Sequence, residues 1–294
     1  MNRNSVKQLR SPTTISDSDR GFEAFCNYTE VLTSGDYHCH DYYEFYIHMR
    51  GGQYYGIGEK MYKLLPNQLF IIPPGIMHGL SFEGELRDYE RAYMNVSTEA
   101  LTALGYGRAD LDKLFRTYVD QLNFTFQLDP MEAETCVNCI KALKNVSGPL
   151  TGMDLYHAYN EINRFIETVC SCMRKSRMIK DLSISKSVIQ EVLVYLNANY
   201  TQQIKIGELA KRFGVSVSYL SREFTRLTRR SVYEYILYCR VALAKQLMRS
   251  GASLNTIAYQ CGFNDYSNFL RIFNKMEGVS PSVYREMLQQ KKQL

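Results

Sequence analysis

No stretch of this sequence approaches the roughly 20 consecutive apolar residues that a membrane-spanning helix requires. The opening segment (MNRNSVKQLRSPTTISDSDR) also lacks a secretory apolar core, so the expected compartment is the cytoplasm, with no membrane partner. Tryptophan is absent from the 294 residues, which leaves 23 tyrosines and 14 phenylalanines to supply every large aromatic surface. Eight cysteines are modest for this length, and in a reducing compartment they are expected as free thiols rather than a disulfide frame. With 45% hydrophobic and 22% charged residues, wholesale disorder and fibrous repeats are excluded. The length fits two domains.

What is present is unevenly distributed. From Ser185 onward there are 16 Lys and Arg against 7 Asp and Glu, a net +9, while the first 184 residues carry a net −4. A basic back half beside a mildly acidic front half points to a polyanion as the partner of the C-terminal part.

Composition and periodicity divide the chain further. Residues 1–20 are polar and aperiodic and read as a flexible tail. Over 21–98, short apolar runs alternate with turn signals such as Arg50-Gly51-Gly52, Pro66-Asn67 and Pro73-Pro74-Gly75, the pattern of an all-β barrel or sandwich. Over 99–173 the spacing becomes helical. Leu111, Leu114, Phe115, Tyr118 and Val119 form one apolar stripe; Leu155, Tyr159, Ile162, Phe165, Ile166 and Val169 form a longer one. Residues 174–186 read as a basic linker, and 187–289 as consecutive helices.

The basic half contains an internal repeat. Ile206-x2-Leu209-Ala210-x3-Gly214 recurs 48 residues later as Leu254-x2-Ile257-Ala258-x3-Gly262, and Leu220, Phe224, Ser231 and Tyr235 recur 49 residues later as Phe269, Phe273, Ser280 and Tyr284. Each unit has the grammar of a helix-turn-helix, over 206–227 and 254–277: a small Ala for close helix packing, a Gly for the turn, and Ser216 or Asp265 as N-cap of the second helix. At 3.6 residues per turn, Val217, Leu220 and Phe224 point inward, and Ser218, Tyr219, Ser221, Arg222 and Arg226 outward. In the second unit Phe269, Leu270 and Phe273 point inward, and Tyr266, Ser267, Asn268 and Arg271 outward. Arg suits guanine, Asn suits adenine, and Ser hydroxyls serve bases or phosphates, so both outward faces are expected on double-stranded DNA. Arg229 and Arg230 are expected on backbone phosphates.

The stretch Ile206–Arg285 resembles the DNA-binding domain of the AraC/XylS family of bacterial transcription regulators. The resemblance is densest in Ile257-Ala258-x3-Gly262-Phe263-x2-Tyr266-Ser267-x-Phe269-x-Arg271-x-Phe273 and in Gly278-Val279-Ser280-Pro281-x2-Tyr284-Arg285. It implies a long helix, about Val232 to Arg249, that sets two recognition helices in successive major grooves about 34 Å apart. Arg229 stands where the family usually has Gly. The resemblance also implies dimerisation through helices of the 99–173 segment, and contact with RNA polymerase at a promoter.

In the front half, Gly35-x2-His38-x-His40-x3-Glu44-x6-Gly51 is followed by Pro73-x-Gly75-x2-His78. His38, His40 and Glu44 share parity and could project from one face of an extended strand, with His78 added from a second. The spacing is similar to both signature motifs of the cupin barrel, in whose metal-binding members these four positions are ligands. Asn67 replaces a preferred Gly, and Phe82 a frequent Asn. Three readings stand: a polar effector pocket, a bound metal, and buried structural histidines. Effector binding is assigned to His38, His40, Glu44, His78, Tyr37, Tyr46 and Tyr93, with Tyr43 and Tyr89 as further candidates to line the pocket. No catalytic residue, metal or cofactor is assigned. Cys136-x2-Cys139 is read as packed thiols, because zinc sites usually need two such pairs.

The expectation is thus an α+β protein of two domains: a cupin-like barrel, a helical connector, and an all-α DNA reader. Its expected function is a non-enzymatic, dimeric regulator, an activator responding to a small molecule such as a carbohydrate. The alternatives are a metal-dependent cupin enzyme fused to a DNA reader, which bound metal and turnover would reveal, and an effector-independent DNA binder.

Overall fold

The computed structural model describes residues 21–33, 37–40, 42–58, 60–105, 109–121, 124–144, 150–175, 188–228, 230–248 and 251–290. The expected tail, Gly35, Arg229 and all of the expected linker except Arg174 and Lys175 lie outside the described residues.

The front half is built from nine described strands: β1 (Phe22–Leu32), β2 (Tyr37–His38), β3 (Tyr43–Arg50), β4 (Tyr54–Ile57), β5 (Lys60–Lys63), β6 (Gln68–Ile72), β7 (His78–Ser81), β8 (Leu86–Val96) and β9 (Thr125–Gln127). They form two antiparallel sheets, ordered β1-β8-β3-β6-β9 and β2-β7-β4-β5. Strand alternation decides what each face meets. On β3, Tyr43, Phe45 and Ile47 join the core under the helices, while Tyr46 joins the core shared by the two sheets. Each such fully buried side chain contributes about 1.5–3 kcal/mol of burial, which pins the register of the strand carrying Glu44. Asn67 adopts a left-handed φ of 61° before β6, as the turn there requires.

The helical segment is α1 (Thr98–Leu104), α2 (Leu111–Gln121), α3 (Pro130–Lys144) and α4 (Gly152–Arg174). β9 interrupts it and extends the large sheet, an element that the sequence reading did not anticipate because three residues carry no period. Phe115 and Val119 of α2 and Ile162, Phe165, Ile166 and Val169 of α4 bury themselves on the outer face of the same chain's large sheet. Leu114, expected in the first stripe, is exposed, as are Met153 and Tyr156 near the start of α4.

The back half comprises α5 (Val188–Asn199), α6 (Ile206–Arg212), α7 (Val217–Thr228), α8 (Val232–Leu247), α9 (Leu254–Gln260), α10 (Tyr266–Glu277) and α11 (Pro281–Gln290). The repeat falls on α6–α7 and α9–α10, and α8 is the expected connecting helix. A capping box fixes its start: Ser231 Oγ accepts from Glu234 N–H, and Ser231 N–H donates to Glu234 Oε2. No described helix is long and apolar enough to cross a membrane.

Candidate functional site

The chain brings His38, His40, Glu44 and His78 together by crossing between sheets, not by one extended strand. His38 on β2 lies directly opposite His78 on β7 in the small sheet. The chain then passes His40 and enters the large sheet, where Glu44 is the second residue of β3. One donor atom from each of the four residues lies within 4.8 Å of all the others. His40, Glu44 and His78 are buried.

Hydrogen bonds set the imidazole orientations. His40 Nδ1 lies 3.0 Å from the Tyr42 carbonyl and His78 Nδ1 lies 2.8 Å from that of Ile76. Because a carbonyl only accepts, each Nδ1 carries a proton and each ring turns its Nε2 inward. Both Nε2 atoms face one carboxylate: Glu44 Oε2 is 3.2 Å from His40 Nε2, within hydrogen-bond distance, and 3.7 Å from His78 Nε2. Burial pushes His40 down to about 4, against the partial opposition of Glu44. Burial also works against the charge of Glu44, but the His40 and His78 imidazoles beside it outweigh burial and hold the carboxyl well below its ordinary range. Three inward nitrogens around a buried carboxylate are a donor set that a divalent transition metal fits, with backbone carbonyls holding two of the rings in place.

Beside the cluster, between the sheets, lies a cavity of about 330 Å³. His38, Glu44, Tyr46, Tyr89 and Tyr93 line it as expected. Tyr55, Arg91 and Asn95 also line it and were missed. Tyr55 Oη donates to Glu44 Oε1 at 3.4 Å, Arg91 lies 4.4 Å over the Tyr89 ring, and Asn95 Oδ1 is buried without a hydrogen-bond partner. Position parity on β8 could have suggested Arg91 and Asn95, since both alternate with the core residues Ala92 and Met94. Four expected members do not line it. Tyr37 packs against the helices of the back half, Tyr43 bonds to Asp112 on the outer side of the sheet, and His40 lines a separate crevice facing α8. His78 belongs to the cluster but does not line the cavity.

In the back half, Gly214 and Gly262 have φ of 67° and 87°, and a Cβ on Gly262 would lie 2.2 Å from the Thr201 carbonyl oxygen. Ser216 Oγ accepts from Tyr219 N–H and Asp265 Oδ1 from Asn268 N–H, so both predicted N-caps are made. Ala210 and Ala258 are buried. Two capped helices, α7 and α10, each follow a short helix and a glycine turn.

The family models agree with this architecture: one for an AraC-like ligand binding domain matches residues 29–139, and one for a helix-turn-helix domain matches 209–287. The chain belongs to the AraC family of transcription regulators. It is 24% identical over 262 residues to the HTH-type transcriptional regulator YfiF of Bacillus subtilis, covering 87% of this chain and 80% of that one. It is 38% identical over 104 residues to YdiP of Escherichia coli (35% of this chain, 34% of YdiP). It is 30% identical over 115 residues to the HTH-type transcriptional activator RhaS of E. coli (39% of this chain, 41% of RhaS). The matched stretch is therefore well under two thirds of YdiP and RhaS.

In this AraC-family chain, Ser218, Tyr219, Arg222, Arg226, Ser267 and Arg271 are exposed, and Ser221, Tyr266 and Asn268 are half-buried. Tyr266 packs its ring 6.0 Å from Phe269. Val217, expected inward, is exposed at the first helical position, before α7 turns its face to the core. Ile272, not expected inward, is buried, and Leu270 only half-buried. Arg230 lies 4.4 Å over the Tyr238 ring of α8 instead of projecting as a free phosphate contact. Glu223 was missed: Arg222 Nε and Arg226 Nε each donate to it at 2.9 Å. On α10 the corresponding partner is neutral, Arg271 Nη2 donating to Asn268 Oδ1 at 2.9 Å. Arg240 is structural, donating to the carbonyls of Tyr200 and Gln202 between α5 and α6. Cys136 and Cys139 are buried in the core beneath the helices, and burial raises both, Cys139 to about 12, so they are packed thiols there.

Proposed function

We propose that this protein is a sequence-specific DNA-binding transcription regulator, an activator governed by a small molecule held between its two β-sheets. The observation that carries the reading is the pair of capped helices α7 and α10, presenting Ser218, Tyr219, Ser221, Arg222 and Arg226, and Tyr266, Ser267, Asn268 and Arg271, on either side of α8. Arginines and Asn268 would read base edges, and the serines would hold bases or phosphates. The tyrosine-rich cavity, with Arg91 and Asn95 among its polar groups, suits a small polar molecule with an apolar face, such as a sugar or a planar acid. The activator role and the contact with RNA polymerase rest on the family and on the name carried by RhaS. Dimerisation is the expected route to tighter binding at paired sites, through helices such as α4, where Met153 and Tyr156 are exposed.

A second reading is favoured by the donor cluster: His38, His40, Glu44 and His78 would hold a divalent transition metal. Such an ion supplies a Lewis-acid centre beside the cavity. The chain's part is to hold two imidazoles by their Nδ1 protons and to aim Tyr55 and Glu44 at whatever occupies that space.

Titrating labelled duplex with the full chain tests the main reading. Affinity should fall steeply with salt, as counterion release demands. Affinity that is absent at low salt, or indifferent to salt, contradicts it.

A further inference from the structure

The residues that alternate with the histidines face the other domain. Tyr37 and Cys39 flank His38, Cys39 also precedes His40, and Met77 precedes His78. Tyr37, Cys39 and Met77 are all buried in one apolar cluster with Leu193 and Leu196 of α5, Leu220 and Phe224 of α7, and Tyr235 of α8. Strand alternation explains this: with ligand side chains turned to one side of the backbone, their neighbours must turn to the other.

Hydrogen bonds fasten the same segments to α8. Tyr238 Oη donates to the Cys39 carbonyl at 2.9 Å, and that carbonyl lies between His38 and His40 in the chain. Gln246 Nε2 donates to the Pro74 carbonyl, in the segment leading to His78. Gly75 N–H donates to the His40 carbonyl at 2.7 Å, so the two segments are tied to each other as well. A Cβ on Gly75, whose φ is 79°, would meet the Gln246 side chain, so the helix sits directly on this loop. Tyr238 in turn lies under Arg230, just past the end of α7, while Tyr219 and Arg226 of α7 share a cavity of about 280 Å³ with Ser81, Phe82 and Glu83 of the barrel.

We infer that Tyr238 and Gln246 are positioning residues that couple the His38, His40, Glu44 and His78 cluster to α8, so that filling the cluster and setting the recognition helices are one linked equilibrium. The inference rests on the reading that the cluster holds a divalent metal. The four donors are gathered in the docked arrangement, so docking favours the metal-competent geometry, and by linkage metal favours docking.

Cobalt(II) is the probe, because its visible ligand-field band reports the coordination sphere independently of DNA. In the full chain, Tyr238→Phe with Gln246→Ala should keep the shape of the band, since no ligand is changed, yet weaken Co(II) binding by about three- to tenfold, the loss expected from one or two hydrogen bonds. Tyr238→Phe alone removes one oxygen, keeps the ring packing and should move the affinity in the same direction. Tyr233→Phe, on the exposed face of α8, should change nothing. By reciprocity, Co(II) should shift the affinity of the wild chain for a long mixed-sequence duplex more than it shifts that of the double variant. Equal Co(II) affinity in wild chain and variants, with the band present, overturns the coupling and leaves the metal reading intact. No band in the wild chain, or a band that survives His78→Ala unchanged, sinks the metal reading and the coupling with it.

Discussion

Neutralising Glu223 probes the difference between α7 and α10, the two helices proposed to read DNA. On α7 the carboxylate holds Arg222 and Arg226, each at 2.9 Å, and the arginines bring Glu223 below its ordinary carboxylate range. The arginine side chains are 70% and 41% exposed, so these are surface pairs worth about 0.2–1 kcal/mol each. Before either guanidinium can engage DNA it must leave Glu223 or bring the carboxylate's charge close to phosphate. Glu223→Gln removes both obstacles, for a combined gain of up to roughly 2 kcal/mol, and should steepen the slope of log affinity against log salt by about one unit if one more phosphate is neutralised. Fluorescence anisotropy on a fixed duplex over a range of salt concentrations measures both. Unchanged affinity and slope would refute the idea that Glu223 restrains the arginines. Weaker binding confined to one base pair would refute it differently, by placing the carboxylate on a cytosine amino group.

On α10, where Arg271 is bonded to a neutral side chain, Arg271→Ala should weaken specific binding by about 1–3 kcal/mol and relax preference at one base position. Uniform weakening across unrelated sequences would instead put Arg271 on phosphate. Stability should fall in acid for a reason separate from the cluster: burial lowers His48 to about 4 from 6.5. The unfolded chain therefore takes up a proton that the folded chain resists, and stability is lost as pH drops from 6.5 toward 4, by about 2 kcal/mol at pH 5. Urea midpoints at pH 7 and pH 5 should differ less in His48→Gln than in the wild chain, and parallel losses would show that His48 is not responsible.

The helix-turn-helix pair was legible because its constraints are local. Gly214, Gly262, Ser216 and Asp265 act within a few residues of themselves, and an apolar repeat at helical period states most of the inward face, missing Val217 in the first turn of α7 and exchanging Leu270 for Ile272 on α10. The barrel was legible in kind, but not in path. Parity grouped His38, His40 and Glu44 correctly while hiding that the chain changes sheets between His40 and Glu44, since spacing is indifferent to which sheet a strand joins. Tyr37 was grouped with His38 in the pocket although the two differ in parity, and its face meets α5, α7 and α8 instead. Pairings at long range, such as Tyr238 to Cys39 or β9 to β6, leave no periodic trace in either partner.

The central claim is that two recognition helices held by α8 read two adjacent stretches of one duplex. Selection of bound duplexes from a random-sequence library by the full chain tests it most directly. The account predicts an enriched site made of two short, dissimilar elements whose centres lie about one helical turn, roughly 10 bp, apart. Arg271→Ala should erase information from one element only. Recovery of no sequence, or of a single element that survives disruption of either helix, would contradict it.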